Sequence, residues 1–211
     1  NTVDGSESFV LQKGHIDPAQ PTLARVHTIS LLADMLGEPG PSKRQLQRAM
    51  AAIGEEGSGM ATAQRWLTEG RLRHGARGIG VIERCLALAA SYAKQRSTFG
   101  ALLAERQAVQ FMLVDMYQHL HQLRLMVYDA SWRLDQGEDV RNASYMCKYF
   151  GDEMSFQAAD RCMQIHGGMG LTKDLPIEQF FRDQRSMIIT EGPTEILKMA
   201  LARRVLREYG G

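Results

Sequence analysis

A chain of 211 residues is long enough to bury a substantial core in one or two domains, and 44% hydrophobic with 23% charged residues is the make-up of an ordinary soluble protein. Its 25 basic and 24 acidic residues leave a net charge of +1, which excludes a strong electrostatic pull toward nucleic acid or an anionic membrane. No run approaches the roughly 18 apolar residues of a membrane span, and no signal-peptide pattern opens the chain. Asn1 stands where an initiator Met is expected, which points to a chain that is processed, trimmed or incompletely represented.

Residues 1–57 read as an abbreviated or remnant β-containing segment. Ser8-Phe9-Val10-Leu11 and Val26-His27-Thr28-Ile29-Ser30-Leu31-Leu32 have the residue types of short strands, separated and followed by Gly and Pro turn formers. Two strands do not make a self-sufficient sheet. From residue 58 to 211 the pattern is helical. Met60, Ala63, Trp66 and Leu67 lead on to Ile79, Ile82, Leu86 and Ala89 at spacings of three and four. A second helix carries Val109, Met112, Leu113, Met116, Leu120, Leu123 and Val127 and closes at Asp135-Gln136-Gly137. A third runs from about Val140 to Ile165 and a fourth from Thr194 to Tyr209, the latter with basic residues at its carboxy end. Four long helices with short links bury their stripes most simply as an antiparallel four-helix bundle, so the fold class is mainly α. The 12 Met residues are read as core filler, and Cys85, Cys147 and Cys162, with no CxxC and no clustered His, as buried free thiols rather than a disulfide framework or a metal site.

Three local features can carry chemistry. Arg96-Ser97-Thr98-Phe99-Gly100 interrupts two helices with a guanidinium and hydroxyls, suited to a phosphate or equally to a solvated turn. Gln164-Ile165-His166-Gly167-Gly168-Met169-Gly170 lets a flat ligand approach the backbone, or simply stops a helix. Glu191, after the apolar Ile188-Ile189 and before Gly192-Pro193, is placed as a desolvated general base or as part of the start of the last helix.

In this order, together with Gly54-Glu55-Glu56-Gly57-Ser58-Gly59, Arg71 near Gly78-Ile79-Gly80, Gln107-Ala108-Val109-Gln110 and Arg182-Asp183, these segments resemble the acyl-CoA dehydrogenase family from about Ile53 to Gly211. The resemblance implies FAD as cofactor and an acyl-CoA thioester as substrate. It implies Glu191 as the catalytic base for the α-proton, with the β-hydrogen leaving as hydride to give a trans-2-enoyl-CoA. It further implies Arg96, Thr98 and Phe99 at the FAD diphosphate and adenosine portion. Gln107, Gln164, Gly167, Gly168 and Glu195 match other FAD contacts, several reaching a cofactor held mainly by a neighbouring subunit. Arg71 and Gly192 match substrate-side positions. An electron-transferring flavoprotein or similar acceptor, a homotetramer built as a dimer of dimers, and a reducing compartment (cytoplasm in a bacterium, otherwise mitochondrial matrix or peroxisome) complete the expectation.

Departures from the family pattern are local and global. Pro193-Thr194-Glu195 stands where Thr-any-Gln is commonest, and a Glu in place of that Gln loses donors and adds charge. Thr190 precedes the base where an aromatic is frequent. A complete family subunit has an amino-terminal helical domain and a full middle β domain, of which Asp17-Pro18-Ala19-Gln20-Pro21 and the strand after it resemble only a fragment. The chain alone is therefore expected to bind FAD poorly, and a shortened, non-catalytic assembly module is the alternative to an enzyme.

Overall fold

The computed structural model describes residues 59–210, so the two strand readings and the segment 1–57 lie outside the described residues. The chain divides into units Asn1–Arg65 and Trp66–Gly211, and the architecture below is that of the second. Helix α1 spans Gly59–Gln95, and a hairpin of β1 (Ser97–Thr98) and β2 (Ala101–Leu102) follows it. After a 3-10 turn come α2 (Gln107–Asp135) and α3 (Arg141–His166), then a second 3-10 turn over Gly167–Leu171, and finally α4 (Ile177–Met187) and α5 (Thr194–Tyr209).

All four helices that the periodicity predicts are present, the last over Thr194–Tyr209 as expected. The buried side of α1 is Leu72, Ile82, Cys85, Ala89 and Ala93, and that of α2 is Met116, Leu120, Leu123, Val127 and Ala130. Met60 and Trp66 are exposed, so the buried stripe of α1 starts later than the apolar spacing suggests. The methionines divide as well. Met116 and Met154 are in the core, whereas Met60, Met146, Met169 and Met199 are exposed. An unbranched thioether is tolerated in either setting, which is why its spacing says little about burial.

Helix α3 is the axis of the unit, packing against α2, α4 and α5. Its buried residues fall on one broad face, and many are small: Ser144, Cys147, Gly151, Ser155, Ala158, Ala159 and Cys162. Small side chains let neighbouring helices come close. A Cβ on Gly78 of α1 would stand 2.8 Å from the carbonyl oxygen of Gly151, and one on Gly151 would stand 3.0 Å from Cα of Gly75. The α1–α3 crossing is thus backbone against backbone.

Two features depart from the sequence reading. Helix α4, preceded by Pro176, is a short amphipathic helix that the four-helix expectation omits; its Ile177 is in the core and its Gln184 amide oxygen accepts from Ser155 Oγ at 2.9 Å. Helix α5 adds little to that core. Thr194 and Leu197 are its buried residues, while Ile196, Met199, Val205, Leu206 and Tyr209 are exposed.

The segment after α1, read as a polar break, is a tight hairpin with Ser97 opposite Leu102 and Thr98 opposite Ala101. Its two turn residues, Phe99 and Gly100, have φ of 50° and 78°. That left-handed pair matches the twist of a two-residue hairpin, and it favours glycine at one position and strains phenylalanine at the other. Arg106 secures the turn by donating to the carbonyls of Thr98 (2.6 Å) and Phe99 (3.3 Å).

Candidate active site

Glu191 and Gly192 link α4 to α5 in left-handed conformations, φ 53° and 106°. For glycine this is ordinary; for glutamate it is a strained conformation that its surroundings must enforce. The enforcing group is Lys148 of α3, wholly buried, whose Nζ donates to the carbonyls of Met187 (2.9 Å) and Gly192 (2.9 Å) and lies 3.4 Å from that of Ile188. One ammonium therefore pins both sides of the loop that carries the carboxylate. Asp152, one turn further along α3, neutralises it at 3.1 Å. An i, i+4 pair removed from water is tolerable only when its remaining donors are used, as they are here.

The turn aims the Glu191 side chain at α1. Its Oε2 occupies the space above Gly70, where an added Cβ would lie 2.6 Å away. Oε2 is buried and has no hydrogen-bond partner, although the side chain as a whole is 31% exposed. The nearest polar atom recorded for it is Nε2 of His74, one turn along α1, at 3.6 Å. The opposite nitrogen of that ring, Nδ1, lies 3.2 Å from both carboxylate oxygens of Asp152. Arg71 completes the surroundings. Its Nη2 reaches the Glu191 carbonyl at 3.4 Å, its guanidinium lies 4.8 Å above the Tyr145 ring, and its Nε and Nη1 are buried without partners. Unspent buried donors beside a carboxylate are what an oxygen-rich ligand would satisfy.

A second region forms around the hairpin. Tyr92, Arg96, Thr98, Leu103, Ile165, His166, Gly167, Gly168 and Met169 line a cavity of about 440 Å³. The His166 ring stacks on Tyr92 with centroids 4.4 Å apart and 23° between planes. Because a carbonyl only accepts, its Nδ1 is the donor to the Cys162 carbonyl at 2.8 Å. A Cβ on Gly167 or Gly168 would meet nothing within 4 Å, so both leave their backbone open to a ligand.

Of the residues singled out in the sequence, Arg96, Thr98, Gly167 and Gly168 come together in the cavity, and Glu191, Gly192 and Arg71 at the carboxylate. Phe99 stands wholly exposed at the hairpin tip. Gln107, Gln164 and Glu195 are exposed too, and none of them lines the cavity. From His74 to Arg96 is 22 residues of α1, about 33 Å at the helical rise, so the two regions are far apart within one chain. Sequence reading missed His74, Lys148 and Asp152. The available signal was Lys148 and Asp152 one turn apart among Cys147 and Gly151, a charged pair in a stretch of small residues. His74 had no such mark, because its partners lie 78 and 117 positions away.

A long helix of small residues packed against its neighbours, a carboxylate held on a left-handed corner and an open Arg- and Gly-lined cavity make this a helical domain with two candidate sites. The family model for the acyl-CoA dehydrogenase carboxy-terminal domain matches residues 57–206. The 3-(aryl)acrylate reductase of Clostridium sporogenes is 37% identical over 155 residues, covering 74% of this chain and 41% of that protein. Among solved structures, butyryl-CoA dehydrogenase from Megasphaera elsdenii superposes with a TM-score of 0.70 at 31% identity, over 73% of this chain and 40% of that one. PigA, solved with FAD and proline, gives 0.70 at 30% identity over 72% and 40%. The chain belongs to the acyl-CoA dehydrogenase family and carries its carboxy-terminal domain, spanning about two-fifths of the length of these relatives. Among the described residues, no helix is long and apolar enough to cross a membrane and no cluster of His, Cys, Asp and Glu could hold a metal ion.

The residues around the hairpin fit part of a flavin nucleotide. Arg96 is an exposed cation for a diphosphate, Thr98 a hydroxyl beside it, and Gly167 and Gly168 an uncovered backbone for a flat group.

Proposed function

We propose that the protein to which this chain belongs oxidises an acyl-CoA thioester between its α and β carbons, with Glu191 as the base for the α-proton. The observation that carries this is the state of the carboxylate: pinned by Lys148 through its own loop, desolvated at Oε2, and free of any hydrogen bond that would compete for the incoming proton. Gly70 leaves the room that Oε2 fills. Arg71, with two unused N–H groups near the base, is suited to the oxygen-rich CoA side of the substrate. Family membership and the likeness to butyryl-CoA dehydrogenase support the reaction type.

FAD, when bound, supplies the acceptor for the β-hydride. This chain's part in holding it is Arg96 and Thr98 at the phosphates and Gly167–Gly168 against the nucleotide. The roughly 33 Å along α1 between that cavity and His74 supports a division of labour, in which one subunit offers its base to one cofactor and its cavity to another's. A homotetramer, and an electron-transferring flavoprotein as redox partner, are the assembly and acceptor that go with this reading. The exposed Phe99, Gln107 and Gln164 then contact the neighbouring subunit's cofactor rather than their own.

The 3-(aryl)acrylate reductase favours a second reading of the same site, in which the chemistry runs toward the saturated product and Glu191 delivers the α-proton. Both directions use one base, as microscopic reversibility requires. Glu191→Gln in the flavin-loaded protein separates an enzyme of either direction from a non-catalytic assembly module. Turnover should fall on the order of 10³-fold while flavin absorbance is retained. Unchanged turnover would remove Glu191 from the mechanism.

A further inference from the structure

Behind Glu191 lies a line of three groups, His74, Asp152 and Lys148, of which the proposed reaction so far uses only Lys148. His74 and Asp152 are almost wholly buried and Lys148 is wholly so, and nothing else in the site accounts for a titratable ring in this position. The geometry points to His74 as a positioning residue for the reaction, acting through Glu191. It accepts from Glu191 the proton taken from the substrate and holds it as an imidazolium between Asp152 and the re-ionised carboxylate. This rests on Glu191 being the base.

The argument begins with the tautomer. An ionised carboxylate only accepts, so the imidazole nitrogen 3.2 Å from both oxygens of Asp152 is the one that carries hydrogen. In a neutral ring Nε2 then presents a lone pair, and it faces Oε2 of Glu191, another acceptor, at 3.6 Å. Two acceptors cannot bond. That explains why Oε2 is buried without a hydrogen bond although a ring nitrogen is its neighbour. A single added proton turns the opposed lone pairs into a donor and an acceptor. The α-proton of the substrate is such a proton, taken up on the exposed side of the carboxyl group and brought to this buried position by rotation of that group.

The charges facing the ring favour the transfer. On one side stands Asp152, on the other Glu191, both anionic. Lys148 lies beyond Asp152 and is already shared among Asp152 and the loop carbonyls. On α1 itself, the Arg71 guanidinium is turned to Tyr145 and the Glu191 carbonyl, and Arg73 has Nη2 3.7 Å from the Cβ position of Gly70. After the transfer both ring nitrogens are donors, and each faces a carboxylate acceptor, Asp152 at 3.2 Å and Glu191 at 3.6 Å. The step balances: the α-C–H bond breaks and its electron pair becomes the enolate. The proton forms an O–H bond on the exposed side of the Glu191 carboxyl, and once that group has turned toward the ring the O–H bond breaks as the N–H bond forms at Nε2. No oxidant is needed to reach this point.

The test uses the FAD-loaded protein and an acyl-CoA with sulfur in place of its β-CH2. That substitution acidifies the α-CH2 and leaves no β-hydrogen to give up, so abstraction stops at the enolate. Infrared difference spectroscopy reads a protonated carboxyl, ¹⁵N NMR reads the histidine rings, and visible absorbance reads the enolate. In the unaltered protein, enolate should form with a doubly protonated His74 and no carboxyl band. In His74→Asn the carboxyl band should appear, with the enolate fraction falling on the order of tenfold. A full carboxyl band beside a neutral His74 in the unaltered protein overturns the proposal, whether or not the variant folds. Glu191→Gln should give no enolate at all. Enolate there would overturn the base assignment and this proposal together, whereas the carboxyl-band result overturns this proposal alone.

Discussion

At the scale of single residues, the site depends on what is missing from position 70 as much as on what is present at 191. Gly70 lies inside α1, where glycine costs roughly 0.5–1 kcal/mol relative to alanine. The space it leaves is filled by Oε2 of Glu191. Gly70→Ala should therefore separate stability from activity. The added methyl meets the end of a flexible side chain, so the helix gains up to about 1 kcal/mol, read as a higher denaturation midpoint. The carboxylate must swing away, and turnover should fall at least about tenfold. An alanine variant with full turnover would show that the position of Oε2 above Gly70 is unimportant. Glu191 itself was legible, because a carboxylate between an apolar run and Gly-Pro is conspicuous. Gly70 was not, because its meaning appears only when a residue 121 positions later folds over it.

Helices are legible from their own periodicity; the contacts between them are not. The apolar spacing of α2 predicted its buried face, from Met116 through Leu120, Leu123 and Val127. The stripe of α1 was read too early because Met60 and Trp66 continue its spacing but are exposed among the described residues. Helix α4 was missed although Ile177, Phe180 and Phe181 stand at i, i+3 and i+4, because at eleven residues it shows little more than one such repeat. The backbone crossing of α1 and α3 provides a quantitative check. Gly78→Ala drives a methyl to 2.8 Å from the Gly151 carbonyl, which cannot yield as a side chain would, and should destabilise by about 1–3 kcal/mol despite the better helix propensity. Gly80, two positions on, has nothing within 4 Å, and Gly80→Ala should stabilise by roughly 0.5–1 kcal/mol. Paired urea titrations decide the matter. Equal shifts in the same direction would mean that the crossing is not as close as described.

At the scale of the molecule, the core doubles as a reporter of its own opening. Cys85, Cys147 and Cys162 are free and buried in one apolar cluster. Burial, with Asp129 adding to it, pushes the Cys147 thiol up to about 12. The neighbouring Cys162, as hydrogen-bond partner, raises Cys85 further, beyond burial alone. All three are shielded by burial, and for Cys85 and Cys147 the reactive thiolate is disfavoured as well, so none should react with a thiol reagent at neutral pH while the domain is folded. Labelling should appear only at the rate of global unfolding and accelerate in parallel with it on adding denaturant. Rapid modification of any of the three in the native protein would contradict this packing. The sequence spacing of these cysteines suggested buried thiols, but their clustering needed the fold.

Lys148 has a consequence for the order in which the molecule is made. Synthesis delivers α3 well before the loop at 187–192, so the ammonium that will bind that loop enters the forming core while its carbonyl partners are still inside the ribosome. Until they arrive, Asp152 is its chief counterweight, and a nascent chain stopped short of that loop carries a half-satisfied charge at a wholly buried position. The completed loop thus acts as a clasp: the same contact that sets the carboxylate in place also tells a complete chain from an incomplete one.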